Sequence, residues 1–392
     1  MLIQVPYLVK LCHVAEGDWG CRMSKVPVAE LASLLNDWNM EIKKDHADEA
    51  ERLFARARQA IENIDDTDIL MYYSLLEKRH HILMYNLRGQ KGSILTKNIE
   101  GHYGKKDDDL SNRLAYYFDF YEGVYEQHQG NYEVALQMYQ SAEKLLDKIP
   151  SEIERADFDF KVAWLYYRLS HIMLSLSYIR RALHVYKRDK QYERRTALSY
   201  CLVAANLTEI GRYEEALENY RLAEDVLTNK QDDFMLAQHH HNVAILYSFW
   251  NRPKESIAHL EKALSHQEYY DSDFFFHSTY LISRELCVIG EKQRASQYIE
   301  AAYARIKDAS HEVFQLKIGI VHDLYLTNAP QRFQQIDEKL RKLEEKNEYH
   351  EVKELSQFAA KYCEKQALYQ QSVFYLNKSL EADLHMKRMG LI

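Results

Sequence analysis

The sequence contains few of the residues that end helices and form turns. Its 392 residues include five prolines and twelve glycines. β-Sandwiches, barrels and turn-rich α/β folds need such residues at short, regular intervals. The shortage disfavours those folds and indicates an all-α protein.

Basic charge and long apolar runs are lacking as well. Fifty-one Lys and Arg stand against fifty-nine Asp and Glu, a net charge of -8. No basic excess is available to neutralise a phosphate backbone, so nucleic acid is not an expected partner. No apolar run reaches the roughly 18 residues of a membrane helix, and no signal peptide is evident. We therefore expect no membrane partner and a cytoplasmic location.

Cysteine is scarce, and the start of the chain is poorly patterned. The five cysteines are odd in number and widely spaced, which is typical of free thiols in a reducing compartment. A second methionine, Met23, opens the first segment with a helical pattern. We expect residues 1–22 to be an extension that has no place in the fold.

The rest of the chain is dominated by a period of about 40 residues. A small residue recurs in one register at Ala135, Ser175, Ala216, Ser256, Ala295 and, after a degenerate copy near Phe333, Ser372. A second set of small residues precedes it at Gly123, Ala163, Ala204, Ala244, Ser283 and Ala360. Small residues at these spacings allow two helices to approach closely, as in the tetratricopeptide repeat. The pattern predicts a superhelix of helix pairs over residues 109–388.

A different unit precedes the repeats. Residues 27–43, 45–63 and 67–87 each place apolar side chains on one face of a helix. Short connections between three helices predict a small bundle over residues 23–88. Residues 89–108 contain four glycines, and we interpret them as a linker and hinge between the bundle and the repeats.

Several strings within this organisation resemble the Rap proteins of Gram-positive spore formers. Leu35-Asn36-Asp37-Trp38 resembles the family's first-helix motif, and residues 72–80 resemble its third helix. Ile153-Glu154-Arg155-Ala156 resembles the entry to its repeat domain. The resemblance covers about residues 25–385.

The resemblance implies a quorum-sensing regulator. In that family the bundle and first repeats bind a two-component response regulator, which some members dephosphorylate and others block. A re-imported Phr pentapeptide binds the concave surface of the repeats, compacts the protein and releases the regulator. The pathway, whether sporulation, competence or another, is not fixed by the sequence.

The phosphatase members of the family carry a glutamine in an acidic turn before the third helix. Such a side chain positions a water molecule against the phosphoaspartate, while any Mg²⁺ belongs to the partner regulator. Here the turn contains Asp65 and Asp66, and Thr67 stands at the glutamine position. Threonine is shorter, and Thr67 is more simply explained as the N-cap of the third helix. We therefore expect binding and sequestration of a response regulator, and keep an active aspartyl-phosphate phosphatase as the alternative.

A peptide site is predicted on the concave surface. In tetratricopeptide domains an asparagine at the sixth position of a first helix pairs with peptide backbone, and Asn242 occupies that position. Glu209 matches a family position that holds a basic peptide residue. The remaining candidates for walls of the groove, with an arginine that would bind a carboxylate, are Asn206, Tyr167, His241, Tyr280 and Arg284.

Other chemistries have little support. The tract His239-His240-His241 resembles a metal site, but consecutive helical residues point about 100° apart, so at most two share a face. No glycine-rich phosphate loop and no nucleophile elbow occur. We expect no cofactor and no metal. A generic repeat scaffold for some other peptide stays open, and a DNA-binding peptide sensor is disfavoured by the charge.

Overall fold

The computed structural model describes residues 28–88, 109–306 and 311–389. The extension at 1–22 and the linker at 89–108 lie outside the described residues. Eighteen α-helices occupy the described ranges. The all-α prediction is confirmed.

The first three helices form the bundle. They are α1 (Val28–Lys43), α2 (Ala47–Ala60) and α3 (Thr67–Arg88). Leu31, Leu35 and Trp38 on one face of α1 are fully buried, as the period of 3.6 residues requires. The Trp38 ring lies 5.3 Å from that of Phe54 on α2 and 5.8 Å from that of Tyr73 on α3, measured between centroids. One aromatic side chain therefore joins all three helices.

The repeats form consecutive helix pairs. The first four pairs are α4 (Asp109–His128) with α5 (Tyr132–Glu143), α6 (Glu152–Arg168) with α7 (Ile172–Tyr186), α8 (Glu193–Glu209) with α9 (Tyr213–Lys230), and α10 (Asp233–Phe249) with α11 (Pro253–Ser265). After the short α12 (Gln267–Asp271) come α13 (Phe274–Val288) with α14 (Lys292–Arg305), α15 (Glu312–Tyr325) with α16 (Arg332–Glu345), and α17 (Tyr349–Lys365) with α18 (Tyr369–Met389). The degenerate copy near Phe333 is the pair α15 and α16.

The two sets of small residues meet where helices of a pair cross. The Ser175 hydroxyl donates to the Ala163 carbonyl at 2.8 Å. Ser256 and Ser372 make the same bond two and five repeats later, to the carbonyls of Ala244 and Ala360 at 2.8 and 3.1 Å. Serine thus acts here as a small residue that also adds a hydrogen bond between helices. The predicted repeat register is confirmed.

Most turns within pairs contain a left-handed residue. Gly130, Gly211 and Gly290 have φ of 82°, 75° and 87°, which glycine adopts without steric cost. Ser170 and Asn251 occupy the equivalent turns of other repeats with φ of 59° and 58°. These two turns carry no glycine signal in the sequence, and the rest of the repeat holds their backbone in place.

The bundle packs against the beginning of the repeat array. Arg79 on α3 donates to Asp157 on α6 at 2.7 Å, and both side chains are buried. Arg195 on α8 pairs with Asp45, in the turn between α1 and α2, at 2.8 Å. Lys43 on α1 pairs with Glu154 on α6. Ion pairs buried between the two units fix their orientation because an unpaired charge there would be costly.

The array closes on itself at the other end. The Nε2 atom of His171, at the start of α7, lies 3.0 Å from the carbonyl oxygen of Lys387 near the end of α18. Lys353 on α17 reaches the Ser170 hydroxyl at 3.3 Å. The second and the last repeats therefore touch, and the concave surface becomes the wall of an enclosed space.

Candidate functional site: a cavity between the bundle and the repeats

A cavity of about 710 Å³ lies on the concave side of the repeats. The first helices of successive pairs supply its wall, and α3 of the bundle supplies another side. Five of the predicted site residues line it, namely Tyr167, Glu209, His241, Asn242 and Tyr280. The structure thus brings together side chains that are up to 113 positions apart in the chain.

Asn242 on α10 presents a free amide to this cavity. It is half-buried, and its amide makes no hydrogen bond to any group in the part of the chain that the structure describes. A carboxamide offers a donor and an acceptor on the same side chain. It is unfavourable to leave this donor and this acceptor without protein partners in a partly desolvated wall. The site is therefore suited to a ligand that offers N–H and C=O groups like those of a peptide backbone.

Glu209 at the end of α8 gives the cavity an acidic position. Burial raises the pKa of its carboxyl group, and Lys353 Nζ, 3.8 Å away, opposes that rise. The same ammonium group lies 2.9 Å from Asp383. Because Lys353 is shared between two carboxylates and is distant from Glu209, a ligand cation has room to become the closer partner of Glu209.

Tyr167, Tyr280 and His241 supply rigid, mostly apolar walls. Burial lowers the pKa of His241 to about 3, and nearby His277 contributes in the same direction. The imidazole is therefore neutral near pH 7, with Nδ1 held 2.9 Å from the Ser278 hydroxyl. Burial likewise raises the pKa of Tyr280. These walls contribute shape and polar edges without net charge.

Two predicted site residues lie elsewhere. Asn206 is completely buried, and its amide donates to the Ser175 hydroxyl at 2.9 Å and to the Leu202 carbonyl at 2.8 Å. It belongs to the packing between α7 and α8, which corrects the prediction that it forms a wall. Its helix position corresponds to fully buried Leu165 and Leu246 of other repeats, so the repeat register itself excludes it from the groove.

Arg284 is held by protein groups, which corrects its prediction as a free carboxylate-binding residue. It is buried and pairs with Glu354 on α17 and with Glu285 at 3.1 Å. It also donates to the Ser248 hydroxyl at 2.6 Å and to the Tyr280 hydroxyl at 3.2 Å. Its guanidinium therefore orients Tyr280 and Glu354, which do line the cavity.

Lys161 on α6 is a cavity residue that the sequence analysis missed. It lies among the ion pairs that join the bundle to the repeats, where Lys43, Arg79 and Arg195 each have a carboxylate partner. No carboxylate of the described ranges lies within ion-pair distance of Lys161. Burial lowers the pKa of its ammonium group to about 8, and Arg195 contributes to the same shift.

A sequence signal for Lys161 exists. Lys161 and Asn242 both stand two positions before the small residue of their helix, Ala163 and Ala244. Equivalent positions on successive repeats face the same side of a superhelix. The register alone does not decide the matter, because Leu202 and Tyr121 hold the same position on α8 and α4 and are fully buried.

The structure shows which residue of the acidic turn caps α3. The Asp66 carboxylate accepts hydrogen bonds from the backbone N–H groups of Asp68 and Ile69 at 3.0 and 3.1 Å. Asp66 is therefore the N-cap, and the capping role suggested for Thr67 is wrong. Thr67 and Asp65 are exposed at the tip of the bundle.

The histidine tract splits in three directions. His239 is buried against the Tyr220 ring, with centroids 5.6 Å apart. His240 faces His259, with 3.3 Å between their Nδ1 atoms, and His241 faces Ser278. Across residues 28–88, 109–306 and 311–389, no group of three or more metal-binding side chains is arranged to hold an ion. Within the same ranges, no helix is both long and apolar enough to cross a membrane.

Comparison with known proteins identifies the family. Residues 25–85 match the family model for the N-terminal part of response regulator aspartate phosphatase H, and residues 193–268 match a tetratricopeptide-repeat model. The regulatory protein RapK of Bacillus subtilis (strain 168) is 33% identical over 371 residues, which cover 94% of this chain and 99% of RapK. The chain belongs to the Rap family. The resemblance seen in the sequence is thereby confirmed.

Solved Rap structures share the fold. A Rap protein complexed with competence and sporulation factor has a TM-score of 0.82 at 25% identity, covering 92% of this chain and 99% of that one. The apo form of RapI has a TM-score of 0.60 at 24% identity, covering 92% and 99%. The helices of this chain are thus arranged more like those of the Rap protein complexed with competence and sporulation factor than like those of that apo form.

Proposed function

We propose that this chain is a peptide-responsive regulator that binds a two-component response regulator and releases it when a short Phr-type peptide fills the cavity. The observation that carries the proposal is the free amide of Asn242 in a cavity shared by the repeats and the bundle. A site with unsatisfied peptide-like groups suits an extended peptide, which brings its own unpaired N–H and C=O groups.

The charges around the cavity indicate the class of peptide. Glu209 would take a basic side chain, since its own partner Lys353 is 3.8 Å away. Lys161 would take an acidic side chain or a terminal carboxylate, because the neighbouring carboxylates already have partners. A buried ion pair is favourable when it neutralises a charge that is otherwise buried alone. We infer a pentapeptide with at least one basic residue that binds with its anionic group near the bundle.

The position of Lys161 suggests how occupancy reaches the bundle. Four cations meet at the junction of the bundle and the repeats, and three carboxylates from both units balance only part of their charge. The cations are Lys43, Arg79, Lys161 and Arg195. A ligand anion would reduce the remaining repulsion and favour the docked bundle. A peptide shifts such an equilibrium only to the extent that it binds one form better.

Inhibition by binding, without dephosphorylation, is the favoured action on the response regulator. Thr67 has a short side chain at the position of the family's glutamine, and Asp66 is engaged as a helix cap. Neither is well suited to hold a water molecule at a distant phosphoaspartate. The phosphatase alternative is favoured by the match of residues 25–85 to a phosphatase family model. Loss of phosphoryl label from a regulator with the chain in catalytic amount would establish that alternative.

The test uses the immobilised full chain and the response regulators of a spore-forming bacillus, with and without synthetic Phr-type pentapeptides. We expect one regulator to be retained and one peptide to release it. The Asn242→Ala variant should retain the regulator but resist release by the peptide. Asn219→Ala, at a half-buried asparagine on α9 that does not line the cavity, is the matched control and should behave as the wild type. Equal release from Asn242→Ala would remove the cavity from the proposed mechanism.

A further inference from the structure

The short helix α12 places a tyrosine behind the wall of the cavity. Tyr269 on this helix is fully buried, and its hydroxyl lies 2.8 Å from that of Ser278 on α13. Ser278 is fully buried as well, and its hydroxyl lies 2.9 Å from Nδ1 of His241 on α10. Side chains from three helices therefore form a chain of hydrogen bonds, which we call the α12 relay and which ends at a residue lining the cavity.

The helix position of His241 does not need an imidazole for packing. His241 stands three residues before the small residue of its helix, and the same position holds Phe120 in the first repeat and Phe160 in the second. Those two rings are buried and pack against other aromatic rings. A polar ring at this position, supported by two buried hydroxyl groups, is better explained by the group that it presents to the cavity.

One arrangement of protons satisfies every group of the α12 relay. The Tyr269 hydroxyl has no partner except Ser278 among the residues that the structure describes. Its proton must therefore point to Ser278 Oγ, because a buried O–H group without an acceptor is costly. Ser278 then donates its own proton to Nδ1 of His241. Burial keeps the imidazole neutral near pH 7 by lowering its pKa, and a neutral imidazole has one N–H group, so the proton of His241 lies on Nε2.

The Nε2–H group of His241 has no acceptor within the described part of the chain, and the ring lines the cavity next to Asn242. We propose that the α12 relay fixes His241 as a hydrogen-bond donor that selects an acceptor oxygen of the ligand, such as a peptide carbonyl. His241 is then a specificity-determining residue, and Tyr269 and Ser278 are positioning residues. The inference rests on the proposed function for the class of ligand.

The fixed tautomer is what allows His241 to discriminate. The hydrogen bond at one ring nitrogen determines whether the other nitrogen donates or accepts. A histidine without the relay could accept a hydrogen bond from a ligand N–H as readily as it donates one. With the proton held on Nε2, a ligand that places an N–H or ammonium group there would bring two donors together and leave both unpaired.

Nuclear magnetic resonance of the histidine ring nitrogens, recorded on the full chain without peptide, tests the relay. The signals of His241 are identified by their loss in His241→Gln. We expect the wild type to carry the proton on Nε2 alone. Tyr269→Phe keeps the ring but removes the first donor, and should give a mixture of the two tautomers. Tyr270→Phe, at the neighbouring tyrosine that is 38% exposed, is the matched control and should leave the tautomer unchanged.

Titration calorimetry with the pentapeptide that releases the response regulator tests the specificity. His241→Phe removes the donor and should weaken peptide binding roughly twofold to tenfold, the range for one hydrogen bond. His241→Gln presents an amide N–H group at about the place of Nε2, so it should bind the peptide more tightly than His241→Phe does. Tyr269→Phe should weaken peptide binding together with its change of tautomer.

Two results would overturn the proposal. A proton on Nδ1 in the wild type, or the same tautomer in Tyr269→Phe as in the wild type, would exclude the relay, even where that variant is less stable in urea. Equal peptide affinity of the wild type and His241→Phe would exclude His241 as a specificity-determining residue. A chain that binds no pentapeptide would contradict the proposed function instead, and the tautomer of His241, which is measured without peptide, would still support or overturn the relay.

Discussion

Replacing Lys161 by methionine should stabilise the folded protein near neutral pH. The ammonium group of Lys161 is held in the wall of the cavity without a carboxylate partner in the described residues. Burial and the neighbouring Arg195 lower its pKa from 10.5 to about 8. At about 1.4 kcal/mol for each tenfold change in acidity, the charged form costs the fold about 3 kcal/mol. Methionine fills a similar volume without charge.

The charge of Lys161 determines how the stability difference between the wild type and Lys161→Met changes with pH. Below about pH 8 Lys161 is charged in both the folded and the unfolded chain, so the whole penalty is present. Between about pH 8 and 10.5 the folded chain releases the proton while the unfolded chain keeps it, and wild-type stability gains relative to Lys161→Met. The advantage of Lys161→Met should therefore be largest near pH 7 and decline towards pH 10.5.

The measurement is urea unfolding at pH 7 and at pH 10. Hydrogen exchange of the α6 amides at the same two pH values reports on the stability of the helix that carries Lys161. Lys365→Met, at an exposed lysine on α17, is the control and should change stability by less than about 0.5 kcal/mol. A Lys161→Met variant that is less stable than the wild type, or equally favoured at both pH values, would refute the account of Lys161 as an unpaired, half-buried cation.

Three further substitutions test the packing around the site. Asn206→Ala should destabilise the chain by about 1–3 kcal/mol in urea unfolding, because it removes a buried, hydrogen-bonded amide. An unchanged free energy of unfolding would contradict the assignment of Asn206 to the interior. Gly123→Ala should cost about 1–3 kcal/mol, since the added Cβ would lie 2.7 Å from the Tyr139 ring, and an unchanged melting temperature would show that the ring moves away easily. Arg79→Met leaves the Asp157 carboxylate buried without its 2.7 Å partner, and should cost about 3–5 kcal/mol. Its effect should appear as faster hydrogen exchange in the bundle, and exchange that is equal to the wild type there would argue against a role for this pair in docking.

The repeat architecture was predictable because small residues are required wherever two helices cross closely. Ala163 with Ser175 and Ala244 with Ser256 show this requirement directly, since each serine bonds the carbonyl of its alanine. The turn at Ser170 was less visible, because tertiary packing holds a non-glycine residue at φ of 59°. The short helix α12 is an insertion between two repeats and has no counterpart in the periodic pattern.

Residues of the candidate site could be predicted only where the repeat register determines which side chains face the groove. Asn242 was found because its helix position faces the groove, and Lys161 holds the equivalent position on α6. Arg284 was misinterpreted because its partner Glu354 lies 70 residues away on α17, and a distant ion pair leaves no local signal. Which cations remain unpaired is a property of the assembled fold, so it cannot be read from spacing.

The most direct test of the proposed function is the affinity of the captured response regulator for the full chain, measured with and without a saturating amount of the releasing pentapeptide. The account predicts that the peptide weakens regulator binding, and that the regulator weakens peptide binding by the same factor, as linkage requires. In Asn242→Ala the peptide should lose this effect. Regulator affinity that is unchanged or increased by a peptide bound in the cavity would contradict the central claim.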